Sequence, residues 1–232
     1  GEWIVDFQST ASERDASLYD AAFHLVKERV AFARHGYKTG GKQFWRFERG
    51  RPEMRMALMG RSRFLGRSMV GKHQFFTWLP SEFLPANLVI LFARSDDLFF
   101  GILHSRFHEL WTLRMGTRLE TRPRYTPTTC FETFPFPPGV LDAVTPVPAT
   151  LAEIAAAAKD MDNLRGRWLN PPEWTCTEMR EFPGTVGGPW DCYIDPATVT
   201  DRGEFKLGTV RYPRLVARDA DCAARLKARP LP

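Results

Sequence analysis

Residues 96–138 read DDLFFGILHSRFHELWTLRMGTRLETRPRYTPTTCFETFPFPP, and the reading of this stretch decides the fold. Phe100, Leu103, Phe107, Leu110 and Trp111 recur at three- and four-residue steps, which predicts a helix whose start Asp96 or Asp97 can cap. Gly116 stands where such a helix stops, because glycine takes the left-handed C′ conformation without a steric penalty. Beyond it the period changes to two. Arg118, Glu120, Arg122 and Arg124 alternate, so a single extended strand would put all four on one face. Such a face is a poor core and a good polar reader. Arginine offers a planar fork of donors to phosphate oxygens or a guanine edge, while glutamate accepts from cytosine N4. A solvated face with ordinary cross-strand ion pairs is the other reading of the same residues.

Outward from this stretch, charge is distributed unevenly. The 232 residues carry a net charge of +5, with 44% hydrophobic and 25% charged residues, the composition of a globular protein with a sizeable core. Between Lys27 and Lys72 stand thirteen basic residues against Glu28, Glu48 and Glu53, so the rest of the chain is net negative. A concentration of this kind is the footprint expected for a polyanion partner, set against a surface balanced in space by acids elsewhere. No window reaches eighteen uninterrupted apolar residues, so no membrane span is expected. Cys130, Cys176, Cys192 and Cys222 lie far apart and form no CxxC, which points to reduced thiols and a cytoplasmic setting. The chain begins Gly-Glu-Trp, with neither a start methionine nor a signal segment, and is expected to be a piece of a longer polypeptide.

The flanking pattern predicts further elements. WIVDF at 3–7 reads as a strand, Ser12 to Val30 as a helix capped by Ser12, and RHGYKTGG at 34–41 as a basic loop. Phe44, Trp45 and Phe47 interleave with arginines, a pattern of core packing before it is one of base stacking. Pro52 to Met59 is a short helix framed by Pro52 and Gly60. Arg61 to Leu79 reads as two strands joined at Gly71, and NLVILFA at 87–93 as a central buried strand. Pro137, Pro138, Pro146 and Pro148 mark a linker, and Leu151 to Trp168 is an amphipathic helix. Residues 175–208 read as loop with short strands, and Asp219 to Lys227 as a last short helix. The fold class is therefore α+β: a mixed sheet from strands near 63–93 and 118–134, flanked by helices, with a C-terminal helix and an irregular tail.

The block GILHSRFHELW…GTRLETRPRYTPTTCFETFPFP resembles the target-recognition region of MmeI-like (type IIL) DNA methyltransferases and restriction-modification enzymes. GEWIVDF, RPEMRMALMG and GKHQFFTWLP upstream, and LRGRWLNPPE downstream, fit that family's order. The resemblance covers roughly Gly1 to Glu173, and residues 175–207 look like an insertion. It implies a sequence-specific recognition domain for double-stranded DNA, belonging to an adenine-specific, S-adenosylmethionine-dependent enzyme. Its methyltransferase domain would lie upstream in the same polypeptide. In that family a charged pair two residues apart, just before Arg-Tyr-Ser/Thr, reads a base pair. Here the pair is Glu120 and Arg122, ahead of Arg124, Tyr125 and Thr126. DNA-backbone contacts are expected from Arg61, Arg63, Arg67, Lys72, His73, Arg106, Arg118, Arg124, Tyr125 and Thr126. Residues 1–138 would form the recognition core, and 139–232 a linker, a brace helix and a C-terminal extension.

No catalytic residue, metal or cofactor is expected within these residues themselves. Asn170-Pro171-Pro172 resembles the motif that holds a flipped base's amine in amino-methyltransferases, but Glu173 replaces the aromatic residue and a helix, not a strand, leads in. No glycine-rich S-adenosylmethionine loop follows a strand. His104 and His108 stand four apart, as in helical metal pairs, yet no third ligand is evident and local hydrogen bonds account for them better. The competing reading is a structural or protein-interaction module whose basic surface meets RNA or non-specific DNA.

Overall fold

The computed structural model describes residues 4–7, 11–35, 43–141, 148–188, 190–203 and 206–229. It divides into two compact units, Gly1–Met59 and Gly60–Pro232. The boundary expected at Pro138 falls inside the second unit. Of the sequence readings, Trp3, most of the 34–41 loop and Pro146 lie outside the described residues.

The first unit holds α1 (Glu13–Ser17), α2 (Asp20–Val26), which runs on into a π-helical turn Lys27–Ala31, and α3 (Pro52–Leu58). Ser12 caps α1 as expected. Its hydroxyl accepts from the Asp15 amide while the Asp15 carboxylate accepts from the Ser12 amide, closing a capping box. Ala16, Phe23 and Trp45 form the core with Phe7 and Phe44, so the aromatic–basic interleaving is mostly packing. Phe47 is exposed. Residues 4–7 form no strand.

In the second unit, β1 (Arg63–Ser68), β2 (Thr77–Pro80) and β3 (Val89–Phe92) form an antiparallel sheet in the order β2-β1-β3. Phe64, Leu65, Gly66 and Arg67 are buried, so the central strand is β1, not 87–93 as its apolar run suggests. That run is an edge strand whose alternate residues Ile90 and Phe92 enter the core. Asp96 then caps α4 (Asp97–His104) by accepting from the Phe99 amide at 2.8 Å.

The helix expected to run to Gly116 breaks at Ser105. This residue is extended (φ −63°, ψ 149°) and its hydroxyl accepts from the His108 amide, starting α5 (Arg106–Met115). Serine competes with the helix by offering its own oxygen as a cap, and the break rotates the expected apolar stripe. Phe100 and Leu103 are buried, but Phe107 is 80% and Leu110 50% exposed, whereas His108 and Thr112 face inward. Gly116 is extended too (φ −76°, ψ 163°). Its glycine is demanded by space: a Cβ would lie 2.5 Å from the Thr112 carbonyl oxygen and 2.8 Å from that of Arg124.

The long helix α6 (Ala149–Leu169) packs on α4 at Gly101, whose missing side chain admits Ile154 and Ala158 at van der Waals range. Asn170 caps its end, and Thr175 and Trp174 bond back to the Pro171 carbonyl, so Asn-Pro-Pro serves as a helix stop. The stretch expected to be mostly loop is instead a long antiparallel pair, β6 (Thr175–Thr185) with β8 (Lys206–Ala217). β7 (Thr200–Asp201) pairs with the other edge of β8, and Asp219 caps the final helix α7 (Ala220–Ala228). The fold is α+β, with several sheets flanked by helices and a C-terminal helix.

Candidate nucleic-acid interface

The arginine-rich arm is a hairpin, not one extended strand. After Gly116, β4 (Thr117–Leu119) pairs antiparallel with β5 (Arg122–Arg124), and Glu120 and Thr121 form the turn. In this register Thr117, Leu119, Arg122 and Arg124 share one face, while Arg118 stands opposite Pro123 on the other. The single face of four expected from alternation is thus corrected: the turn removes Glu120 from the strand and turns Arg118 away from Arg122 and Arg124. All four remain exposed.

Glu120 has φ +57°, one of two described non-glycine residues in the left-handed region. A side chain there costs on the order of 1 kcal/mol, and strain of this kind concentrates at working sites. The Glu120 carboxylate accepts from Arg122 Nη2 at 2.9 Å, with the two side chains 75% and 51% exposed. The pair is therefore held together and open to solvent. An exposed ion pair contributes roughly 0–1 kcal/mol, which barely covers the strain at Glu120.

The hairpin is stitched to the first sheet just past β1. Tyr125 N donates to the Met69 carbonyl at 2.8 Å, Gly71 N donates to that of Pro123 at 3.2 Å, and Val70 bridges Arg124. Lys72 and His73, which follow Gly71, are exposed and leave the sheet beside β5. The fold thus collects Lys72, His73, Glu120, Arg122 and Arg124 around one end of β1, with Arg118 on the hairpin's reverse face.

Other residues expected at phosphates lie elsewhere. Arg61 and Arg63 belong to the opposite end of β1. The Arg63 guanidinium donates to the Ser95 carbonyl and to Asp97 at 2.8 Å and stacks 3.9 Å from the Trp78 ring centre. Arg106, at the start of α5, is exposed and pairs with Glu109. Thr126 starts the π-helical turn Pro127–Phe131, its carbonyl accepting from Cys130 N at 2.8 Å. Arg67 and Tyr125 are interior residues, 4% and 1% exposed, and their placement at phosphates is corrected: neither side chain has a solvent face to offer. Arg67 belongs to the central strand, and Tyr125 turns inward where β5 hooks onto Met69.

Beneath the hairpin, those two residues meet the histidines. His108 Nδ1 lies 3.0 Å from the Leu103 carbonyl oxygen, which can only accept, so Nδ1 carries the proton. Nε2 is then an acceptor for the Tyr125 hydroxyl at 3.3 Å. His104 repeats the arrangement, with Nδ1 3.2 Å from the Phe100 carbonyl oxygen and Nε2 accepting from the Phe76 amide at 3.1 Å. Burial pulls both histidines down to about 4, and the Arg67 charge works in the same direction, so both are neutral at pH 7. With all four ring nitrogens engaged, the pair holds no metal, and no metal-binding cluster occurs among the described residues. Burial also raises the Tyr125 hydroxyl, which stays a donor.

Arg67 joins these parts. Its Nη1 donates to Gln74 Oε1 at 2.7 Å and its Nε to the Ser68 carbonyl at 3.1 Å, and its guanidinium lies 4.3 Å from the Tyr125 ring centre and 5.1 Å from that of Phe76. Burial lowers it to about 10, which leaves it charged at neutral pH. Among the described residues no carboxylate pairs with it, so the charge is held by neutral acceptors and two aromatic faces. Sequence reasoning missed this interior group. The only signal was the four-residue spacing of the histidines, which also suits a metal pair.

Comparison with protein families gives a match over residues 45–138 to the family described as MmeI, target recognition domain. The match takes in RPEMRMALMG, GKHQFFTWLP and the whole hairpin, and leaves GEWIVDF and LRGRWLNPPE outside it. No curated protein and no solved structure matches the chain. A recognition module, not a catalytic one, is what the matched family describes, and the exposed cationic hairpin lies inside the matched residues. Over residues 45–138 this chain is similar to the MmeI target-recognition domain.

Proposed function

We propose that the chain reads one base pair of a duplex DNA site through Glu120 and Arg122. It would serve an adenine-specific, S-adenosylmethionine-dependent methyltransferase or restriction-modification enzyme whose catalytic domain is supplied by the same polypeptide. One observation carries the base-reading part: the pair stands at a hairpin tip, exposed, mutually hydrogen-bonded at 2.9 Å, with Glu120 held at a positive φ. Arginine donates to guanine O6 and N7 while glutamate accepts from the cytosine N4 amine, which addresses both halves of a single pair. Pre-pairing keeps the two side chains in one orientation before DNA arrives. Lys72, His73, Arg118 and Arg124 surround the tip and supply phosphate contacts, which fix register without reading sequence.

The test is a paired exchange, Glu120→Lys with Arg122→Asp, in the full-length enzyme, with methylation measured on every single-base variant of the cognate site. Swapping donor and acceptor is expected to change the preferred base pair at one position from C·G to G·C. Each good contact of this kind is worth roughly 1–3 kcal/mol of discrimination. An unchanged specificity profile would remove Glu120 and Arg122 from the recognition surface.

A further inference from the structure

Two exposed segments carry the cations at the hairpin end of β1: the β4–β5 hairpin and the loop of residues 69–76. Backbone bonds between residues 69–71 and 123–125 stitch the two together at one edge, and each has in addition one interior side-chain anchor. The hairpin's anchor is Tyr125, one residue past Arg124, whose hydroxyl is held by His108 Nε2. The loop's anchor is Phe76, whose amide is held by His104 Nε2. The two rings meet edge to face with centroids 6.0 Å apart. Arg67 reaches both, lying over each ring and gripping Gln74 within the loop. All three anchoring side chains come from rigid elements, Arg67 from the central strand and the histidines from α4 and α5.

We propose that Arg67, His104 and His108 are positioning residues that fix the hairpin and the 69–76 loop relative to one another, and so set the angle at which Glu120 and Arg122 meet a base pair. The inference rests on the base-reading function proposed above. None of the three touches DNA. An aliphatic residue at 67 would fill the central strand without a buried charge, which is costly to keep even when neutral acceptors and ring faces hold it. The guanidinium hydrogen-bonds Gln74 of the loop and covers the Tyr125 ring of the hairpin, adding a side-chain brace to the backbone bonds between the two segments. Each histidine presents one fixed acceptor, because its other nitrogen is committed to a helix carbonyl. A base reader must be held to within fractions of an ångström, and a loosened support weakens discrimination before it weakens attachment.

The mildest probe is Tyr125→Phe, which removes one hydroxyl and keeps the ring. Arg67→Met removes the fork at similar length, and Arg67→Lys keeps the charge without the fork. The full chain and each variant are incubated with a pool of randomised duplexes. Affinity is then measured for the selected site, for its single-base variants and for an unrelated duplex, together with thermal unfolding. Positioning predicts that Tyr125→Phe and Arg67→Met lose about tenfold in the ratio of cognate to variant affinity at the position read by Glu120 and Arg122, with unrelated duplex bound within about twofold of wild type. Arg67→Lys should not rescue the ratio, because a point charge cannot reach both segments. A preserved ratio in Tyr125→Phe overturns the positioning role, even where Arg67→Met fails to fold. A ratio lost equally at every position also overturns it, since that marks general destabilisation. If the wild-type chain selects no sequence at all, the base-reading function fails, and this inference with it.

Discussion

Acid should loosen the second unit through its two buried histidines, and the effect can be sized from their surroundings. His104 faces Arg165 and Asp162 of α6 and Arg67 of β1. His108 faces Arg67, His104 and Tyr125. Each is held near 4 against an ordinary value of 6.5, so folding favours the neutral ring. In the unfolded chain the rings take a proton below about 6.5, while in the folded chain they resist until about 4. Stability is therefore fully present above pH 6.5 and is lost as pH falls from 6.5 toward 4. At about 1.4 kcal/mol per unit, each histidine withdraws about 2 kcal/mol by pH 5 and about 3 kcal/mol by pH 4. Protonation of His104 Nε2 also turns an acceptor into a donor opposite the Phe76 amide, which can only donate, whereas the Tyr125 hydroxyl can turn to accept from His108 Nε2. The assay is an NMR titration of the imidazole rings, paired with urea unfolding at pH 7.5, 6 and 5. The same measurements on His104→Gln and His108→Gln supply a non-titrating acceptor as the control. Wild type should lose stability between pH 6.5 and 5 more steeply than either variant. A ring titrating near 6.5, or equal pH slopes in wild type and both variants, would refute the reasoning.

Three other outcomes are expected. Glu120→Gly should leave thermal stability unchanged or slightly raised, because relieved strain on the order of 1 kcal/mol offsets the lost exposed ion pair, yet base discrimination should fall; a clear drop in unfolding temperature would contradict the strain at φ +57°. Lys72→Ala should weaken binding about equally on all duplexes and lower the log–log salt slope by roughly one, and weakening confined to the selected site would make Lys72 a base reader. Gly116→Ala should destabilise by roughly 1–3 kcal/mol, since the added methyl meets the Thr112 and Arg124 carbonyls, and equal stability in thermal unfolding would show that this junction gives way freely.

Most of the scaffold was legible because it follows local rules. Ser12, Asp96 and Asp219 each cap the helix that their side-chain chemistry announces, and the run at 87–93 does contain a strand. The errors come from tertiary placement. An apolar run marks burial without showing which strand is central, and the centre is β1, with the strand at 89–92 on an edge. Alternating arginines mark an extended backbone without showing where it reverses, since Glu120-Thr121 carries no glycine or asparagine to announce a turn. Ser105 breaks a helix whose hydrophobic period runs straight through it, and that break turns Phe107 outward and His108 inward. The β6–β8 pair is hidden by its composition, as Pro183, Gly184, Gly208 and Pro213 all look like loop residues. At the site, the exposed charges at Glu120 and Arg122 were readable from spacing and resemblance. The interior group formed by Arg67, Tyr125, His104 and His108 was not, because its members come from four segments and meet only after β5 has hooked onto Met69.

The most direct measurement for base reading at the hairpin tip is sequence selection from a randomised duplex pool by the full chain and by its Arg122→Ala variant. Wild type should enrich one defined site. The variant should enrich the same site with a single position degenerate, where guanine or its partner cytosine was previously required. Enrichment of an identical, fully specified site by both proteins would contradict the assignment of Glu120 and Arg122 as the base-reading pair.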